Sequence, residues 1–456
     1  MSAVFTTLDE QSITRRHRRV LWASGLGIFL DGYDLSIMAI ALIVLKDQWH
    51  PSSAALGLLG TAALVGALVG GLLGGPIADR FGRKTIYLID IAAFFFAALL
   101  SGFAWDIASL VAFRFLLGLG VGADYPLSST YMAEFMPKDR RGAVMTWIFG
   151  LWMGGAVVSS LVGLALLHTG PDAWRWMLAS GALPAILVLW MRRNLPESPR
   201  WYLRRGRVAD AERVVAWLAP QLSAAERRAA LEETAAAMEG ARRHSWLDLF
   251  GKRYLKLTLY ACIPWFMMDV MGYALAIFLP LMLLHLGLKT NEQAVIGNTL
   301  FSLAFVIGWI PLALLIDRIG RRRAQIIGFL GDALGLGLVG VLLVALGEPP
   351  FWAVATGLLL FQISNSFGPG TTTWIIPTEL YPTELRASGH GFATAVSRLG
   401  AATSVFLLPT IQATLGEAGL LFLLAGAGGV GVVTTLWLGN EMARESLPES
   451  LARKAA

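Results

Sequence analysis

The chain has 456 residues and a mass of 49.2 kDa; 56% of its residues are apolar, only 15% are charged, its mean hydropathy is +0.61 and its net charge is +6. Soluble domains are about 45–50% apolar and about 25% charged, so this composition excludes an ordinary soluble enzyme, a disordered chain and a nucleic-acid binder. The single cysteine, Cys262, excludes an intrachain disulfide and a cysteine-based metal site.

Arg15, Arg16, Arg18 and Arg19 precede an apolar run over 20–45. That run is too long for a secretory signal, contains Asp31 and Asp34, and lacks a small-residue cleavage site. It reads as a first spanning helix, which needs about 20 apolar residues. Further spans are expected at 55–78, 85–104, 108–135, 143–168 and 174–191, then at 255–285, 293–316, 324–346, 351–378, 387–413 and 418–438. The organisation is therefore an N-terminal six-helix bundle over 1–191, a linker over 192–254 and a C-terminal six-helix bundle over 255–456. The linker is dense in Arg, Glu and Ala, and helices are expected in it at 209–218 and 224–238. The 49 glycines suit closely packed membrane helices. Positive charge collects on one side, in the N-terminus, Arg80 to Lys84, Lys138 to Arg141 and Arg318 to Arg323. Both termini are thus expected in the cytoplasm.

The two halves repeat. Asp79-Arg80-Phe81-Gly82-Arg83 returns as Asp317-Arg318-Ile319-Gly320-Arg321, 238 positions on. Glu134-Phe-Met-Pro137-Lys-Asp139-Arg140-Arg141 returns as Glu379-Leu-Tyr-Pro382-Thr-Glu384-Leu-Arg386, 245 positions on. Asp34 falls opposite Asp269 at a similar offset. Parallel six-helix repeats describe the major facilitator fold, an all-α membrane architecture of twelve transmembrane helices in two pseudo-symmetric bundles.

A carboxylate, a glycine turn and clustered arginines at fixed spacing can build an ion-pair latch between helix ends. Asp79, Arg80, Arg83, Asp317, Arg318 and Arg321 are read as gating residues. Glu134, Arg140, Arg141, Glu197, Arg200, Glu379 and Arg386 are read as their counter-charges. Ionisable residues inside spans are costly and mark function. The proton-coupling set is Asp31, Asp34, Arg114 and Asp124, because a buried carboxyl beside an arginine can take up and release a proton near neutral pH. Asp90 and Asp332 are read as packing or latch partners. Trp265, Asp269 and Tyr273 stand at i, i+4 and i+8, one stripe on a helix face, and read as a pocket wall. Gly368-Pro369-Gly370 can open the tenth span beside Gln362, Asn365 and Thr371 to Thr373.

These motifs resemble the sugar-porter-like group of the major facilitator superfamily, and within it the proton-coupled phosphate symporters. Asp31-Gly-Tyr-Asp34-Leu35, Gly122-Ala-Asp124-Tyr125-Pro126-Leu127-Ser128, the Trp265–Asp269–Tyr273 stripe and Gly368-Pro369 carry the resemblance, with Pro196-Glu197-Ser198-Pro199-Arg200 after the sixth span. It implies a substrate site of Tyr125, Trp152, Trp265, Asp269, Tyr273, Asn365 and Gly370. In that family the position of Trp152 is usually glutamine, that of Gly370 asparagine, and that of Arg398 commonly lysine. The aromatic face and the vacated asparagine position suit a larger organic solute. Asp31-Gly-Tyr-Asp34 is also similar to the motif of aromatic-acid:proton symporters.

The expected function is proton-coupled symport of a small polar solute, an anion such as phosphate or an organic acid, by alternating access in the inner membrane. The partners are the solute, the proton and the lipid bilayer, and the chain is read as a monomer with no nucleic acid, metal or cofactor. Two alternatives stay open: a sugar or metabolite facilitator without proton coupling, and a membrane solute sensor that does not transport. Without a nucleotide loop, a metal cluster or a nucleophile–base pair, no enzyme or ATP-driven pump is expected.

Overall fold

Polar caps start the helices, and glycines turn or break them. The computed structural model describes residues 11–136, 141–239, 246–285, 288–381 and 383–442. Arg140 and the side chains of Asp79, Glu134 and Arg141 lie outside the described residues. In the first half, α1 (Arg15–Trp49), α2 (Ser53–Phe81), α3 (Arg83–Gly102), α4 (Ile107–Phe135) and α5 (Arg141–Leu166) are followed by α6 (Ala173–Ser180) and α7 (Ala182–Arg192). Thr14, Ser52 and Asp106 cap α1, α2 and α4, each accepting a backbone N–H one turn in.

Three short helices follow, α8 (Pro199–Arg204), α9 (Val208–Leu218) and α10 (Ala224–Glu239), then a 3₁₀ turn at Trp246–Phe250. The second half holds α11 (Leu255–His285), α12 (Asn291–Ile319), α13 (Arg321–Leu346), α14 (Phe351–Phe367), α15 (Pro369–Leu380) and α16 (Thr383–Leu438). The helices expected at 209–218 and 224–238 are α9 and α10. They do more than lie on a surface: α9 buries Ala211, Val214, Val215 and Leu218, and Arg16 of α1 donates to the Trp217 carbonyl.

Among the described residues, ten stretches are long and apolar enough to cross a membrane, against the twelve spans expected. Two local breaks account for the difference. The tenth span divides at Gly368 into α14 and α15, of 17 and 12 residues. The last two spans form one helix of 56 residues, bent at Gly416, where φ is 70° and ψ 177°. A straight helix of that length would run about 84 Å, against a hydrocarbon core of about 30 Å, so α16 makes two passes.

The outer faces are apolar. Leu183, Leu314, Leu334 and Val344 are exposed, whereas Asp34, Arg114, Asp269 and Arg398 are buried. Exposed tryptophans stand at both ends, Trp105 and Trp352 at one, Trp190 and Trp437 at the other, as in interfacial aromatic belts.

Within the halves, α2 packs on α4 and α11 on α16; α2 meets α16 and α5 meets α12 across the seam between halves. The α2–α4 approach is backbone to backbone, since a Cβ on Gly118 or Gly122 would overlap Ala63 or Ala67. This contact seats α4, which carries Arg114, Asp124 and Tyr125.

Candidate functional site

Between the halves lies a cavity of about 90 Å³. All seven residues expected at the substrate site line it: Tyr125 of α4, Trp152 of α5, Trp265, Asp269 and Tyr273 of α11, Asn365 at the end of α14, and Gly370 at the start of α15. The α11 stripe faces the cavity because its residues recur every four positions of a 3.6-residue turn. Phe149, Phe305, Trp374 and Arg398 are also part of the wall. Phe149 lies 6.2 Å from both the Phe305 and Trp374 rings, so aromatic faces from both halves meet there.

Gly370 is not a vacated position open to solute. A Cβ there would stand 2.6 Å from Asn365 Oδ1 and 2.9 Å from its backbone oxygen. Asn365 occupies that space, so a side chain at 370 is excluded. Trp152, at the usual glutamine position, still offers a donor: its Nε1–H reaches Asp31 Oδ2 at 2.9 Å.

Arg398 of α16 is the charge at the centre. Its Nη1 donates to Asp269 Oδ2 at 2.9 Å, and its Nη2 stands 4.0 Å from Asp31 Oδ2. Its guanidinium lies 4.6 Å from the Tyr125 ring centre and 4.8 Å from that of Tyr273, in cation–π range. Tyr125 also donates its hydroxyl to Asp31. One arginine of the second half thus joins carboxylates of both halves. The sequence places Arg398 within a span, but its partners come from helices far away in the chain.

The other expected proton-coupling residues separate into two groups. Arg114 pairs with Asp34 through two hydrogen bonds of 2.6 and 2.5 Å, with both side chains buried. Asp124 pairs instead with Arg192, at 2.8 Å, and the same guanidinium stands 3.3 Å from Asp90. Asp31 and Asp34 share a helix face but serve different partners. Removing one member of such a buried pair costs about 3–5 kcal/mol, because it strands the other charge. Arg192 sits at the last turn of α7, where it looks like one more loop arginine. Only the fold turns it inward.

At the arginine-rich end, Gly82 has φ 102° and ψ 143°, and Gly320 has φ 92° and ψ 154°. That backbone region is essentially glycine-only, which is why the glycine recurs in both halves. Each turn exposes the first amides of the next helix to a carboxylate. Glu197 accepts from Lys84 N at 3.0 Å, and Glu441 accepts from Arg321 N at 2.9 Å and Arg322 N at 3.2 Å. A carboxylate at a helix N-terminus satisfies orphan donors and complements the dipole. Burial raises the Glu197 carboxyl, while the Ser198 and Lys84 amides and Arg83 pull it down.

Arg321 also forms a two-bond pair with Glu379, both at 2.9 Å, and a 2.8 Å ion pair with Asp317. Arg83 and Arg386 are buried, whereas Arg80 and Arg318 are exposed, Arg80 lying over Phe81. Glu441 was not singled out in the sequence. Its offset from Glu197, close to that of the other repeats, is the signal that could have found it.

The family described as sugar (and other) transporter matches residues 20–450. A putative metabolite transport protein of Escherichia coli K12, YaaU, is 33% identical over 97% of this chain and 96% of its own length. A probable inorganic phosphate transporter 1-10 of rice is 32% identical over 99% of this chain and 92% of its own. The niacin transporter NiaP of Acinetobacter baylyi is 28% identical over 86% and 87%. Among solved structures, the major facilitator superfamily proton:xylose symporter XylE, bound to 6-bromo-6-deoxy-D-glucose, superposes with a TM-score of 0.82. It is 22% identical and covers 94% of this chain and 97% of that one, a likeness of fold. The chain belongs to the sugar (and other) transporter family and has the major facilitator fold.

Proposed function

We propose that this chain is a proton-coupled symporter that imports a small organic anion by alternating access. The observation that carries the reading is Arg398, a buried cation in an aromatic-walled cavity, held by Asp269 and facing Asp31. One guanidinium between two carboxylates has no charge to spare for an anion. A proton on either acid releases it, and the anion then completes the pair. Proton and anion therefore enter together, and neither binds well alone.

The aromatic wall favours a flat carboxylic acid, and the niacin transporter among the relatives agrees with that class. Phosphate is the second reading, favoured by the rice relative. The Asp34–Arg114 and Asp124–Arg192 pairs are the groups that take the proton onward. The bundles over 1–191 and 255–456 rock about the cavity, joined by the linker over 192–254. The Glu197, Glu441 and Arg321–Glu379 contacts latch the arginine-rich end, which faces the cytoplasm by its charge, with both termini on that side. The protein works as a monomer in the inner membrane.

The test is a thermal-shift comparison of the purified protein with benzoate, nicotinate, phosphate and xylose, since a bound solute stabilises the folded state. Stabilisation by an aromatic acid at low pH supports the reading. Stabilisation by xylose alone overturns it.

A further inference from the structure

Asp332 of α13 takes no part in the ion pairs described above. It is fully buried, Asn365 Nδ2 donates to its Oδ2 at 3.0 Å, and its Oδ1 has no hydrogen-bond partner. Asp90, the buried carboxylate in the matching helix of the first half, one turn nearer the helix start, has Arg192 beside it. Among the described residues Asp332 has no such cation. Four helices pack on α13. Of these, α14 carries no charged residue; α15 carries Glu379; α12 carries Glu292, Asp317 and Arg318; α16 carries Glu384, Arg386, His390, Arg398 and Glu417. Among the described residues none of these pairs with Asp332, and Asn365 is the side chain hydrogen-bonded to it. Asn365 in turn lines the solute cavity.

We propose that Asp332 is a proton-binding residue that sets which end of the Asn365 amide faces the solute. An asparagine amide offers an acceptor oxygen at one end and two N–H donors at the other. With Asp332 ionised, Nδ2 turns toward it, and Oδ1 faces Gly370 and the cavity. That wall then repels an anion. With Asp332 protonated, its O–H needs an acceptor, and among the described residues Asn365 is the side chain already hydrogen-bonded to it. The amide turns, the O–H donates to it, and the N–H groups face the cavity, where an anion accepts them.

Gly370 leaves the room for this turn, since any Cβ there would crowd the Asn365 amide. Gly331 and Gly328 let α13 lie directly on Ser364 and Gly368, so the pair sits at the break between α14 and α15. The proton on Asp332 and the anion in the cavity are then coupled in both directions. This inference rests on the anionic-solute reading and adds a second proton site in the other half of the molecule.

The test uses the full chain, with benzoate as probe, over about pH 5 to pH 8. Asn at position 332 can always donate to Asn365 Oδ1, so Asp332→Asn imitates the protonated acid. Benzoate affinity at the upper pH should rise about tenfold, the worth of one hydrogen bond to a charge, and Asn365→Leu should remove that gain. An unchanged pH dependence in Asp332→Asn, with benzoate binding the wild type, overturns the proposal.

If benzoate, nicotinate and phosphate all fail to bind any form of the protein, the anion reading fails, and Asp332 is judged without ligand. Infrared pH titration of the wild type should show a carboxylic-acid band absent from Asp332→Asn. An Asn365 amide band, absent from Asn365→Leu, should shift in step with it. Absence of the carboxylic-acid band, or an amide band that stays still, overturns the proposal on its own.

Discussion

Asp269→Asn removes a charge beside Arg398 while keeping the shape and one acceptor. In the wild type the guanidinium is held by Asp269 at 2.9 Å and faces Asp31 at 4.0 Å. An anion entering beside Arg398 meets the Asp269 charge across roughly 4–8 Å. At an effective dielectric constant of about 20, that repulsion is worth about 2–4 kcal/mol. Loss of the charged hydrogen bond that orients Arg398 returns about 1.5–3 kcal/mol of it. The net expectation, about 0.75 kcal/mol at the middle of both ranges, is benzoate binding that tightens about three- to fourfold at high pH and depends less on pH. Trp152, Trp265 and Trp374 line the cavity, so quenching of tryptophan fluorescence by benzoate reads the affinity directly. Weaker binding in Asp269→Asn at every pH would refute the argument, because Asp269 would then be a ligand and not a competitor.

Asp34→Asn and Asp124→Asn should each abolish uptake driven by a pH gradient while solute exchange persists; concentrative uptake unchanged in both would remove these residues from proton transfer. Glu197 gives a prediction about pH and stability. Its folded-state pKa is raised by burial, so its contribution is present at low pH and lost as pH rises through the raised value. Melting temperature should therefore fall less from about pH 4 upward in Glu197→Gln than in the wild type, and parallel profiles would contradict the sign. Gly150→Ala would drive a Cβ into the Trp309 ring across the α5–α12 seam. It should cost about 1–3 kcal/mol and slow transport; a silent Gly150→Ala would mean that the seam yields.

Local pattern made much of the site legible. The Trp265–Asp269–Tyr273 stripe needs only the helical period, and the break at Gly368 needs only the chemistry of glycine and proline. The recurring glycine of the Asp-Arg-x-Gly-Arg turn announced a backbone that no other residue adopts. Pairings were not legible, because charge partners are chosen by tertiary packing. Arg192 looked like a loop cation and is the counter-charge of Asp124. Asp34 and Asp124 looked like one set and are held by different arginines. Arg398 was visible as a buried charge, yet nothing local says that it bridges α1 and α11. Helix breaks also misled by length: α14 and α15 are each too short to count as a span, and the bend at Gly416 hides two spans in one helix.

On the proposed reading, proton and anion move together through the cavity around Arg398. The most direct measurement uses proteoliposomes that hold a pH-sensitive dye, with labelled benzoate outside. An inward pH gradient should drive accumulation of benzoate above equilibrium, and an outward benzoate gradient should carry protons with it. Both should be lost in Asp34→Asn. Benzoate uptake that merely equilibrates, indifferent to the pH gradient and to Asp34→Asn, would contradict it.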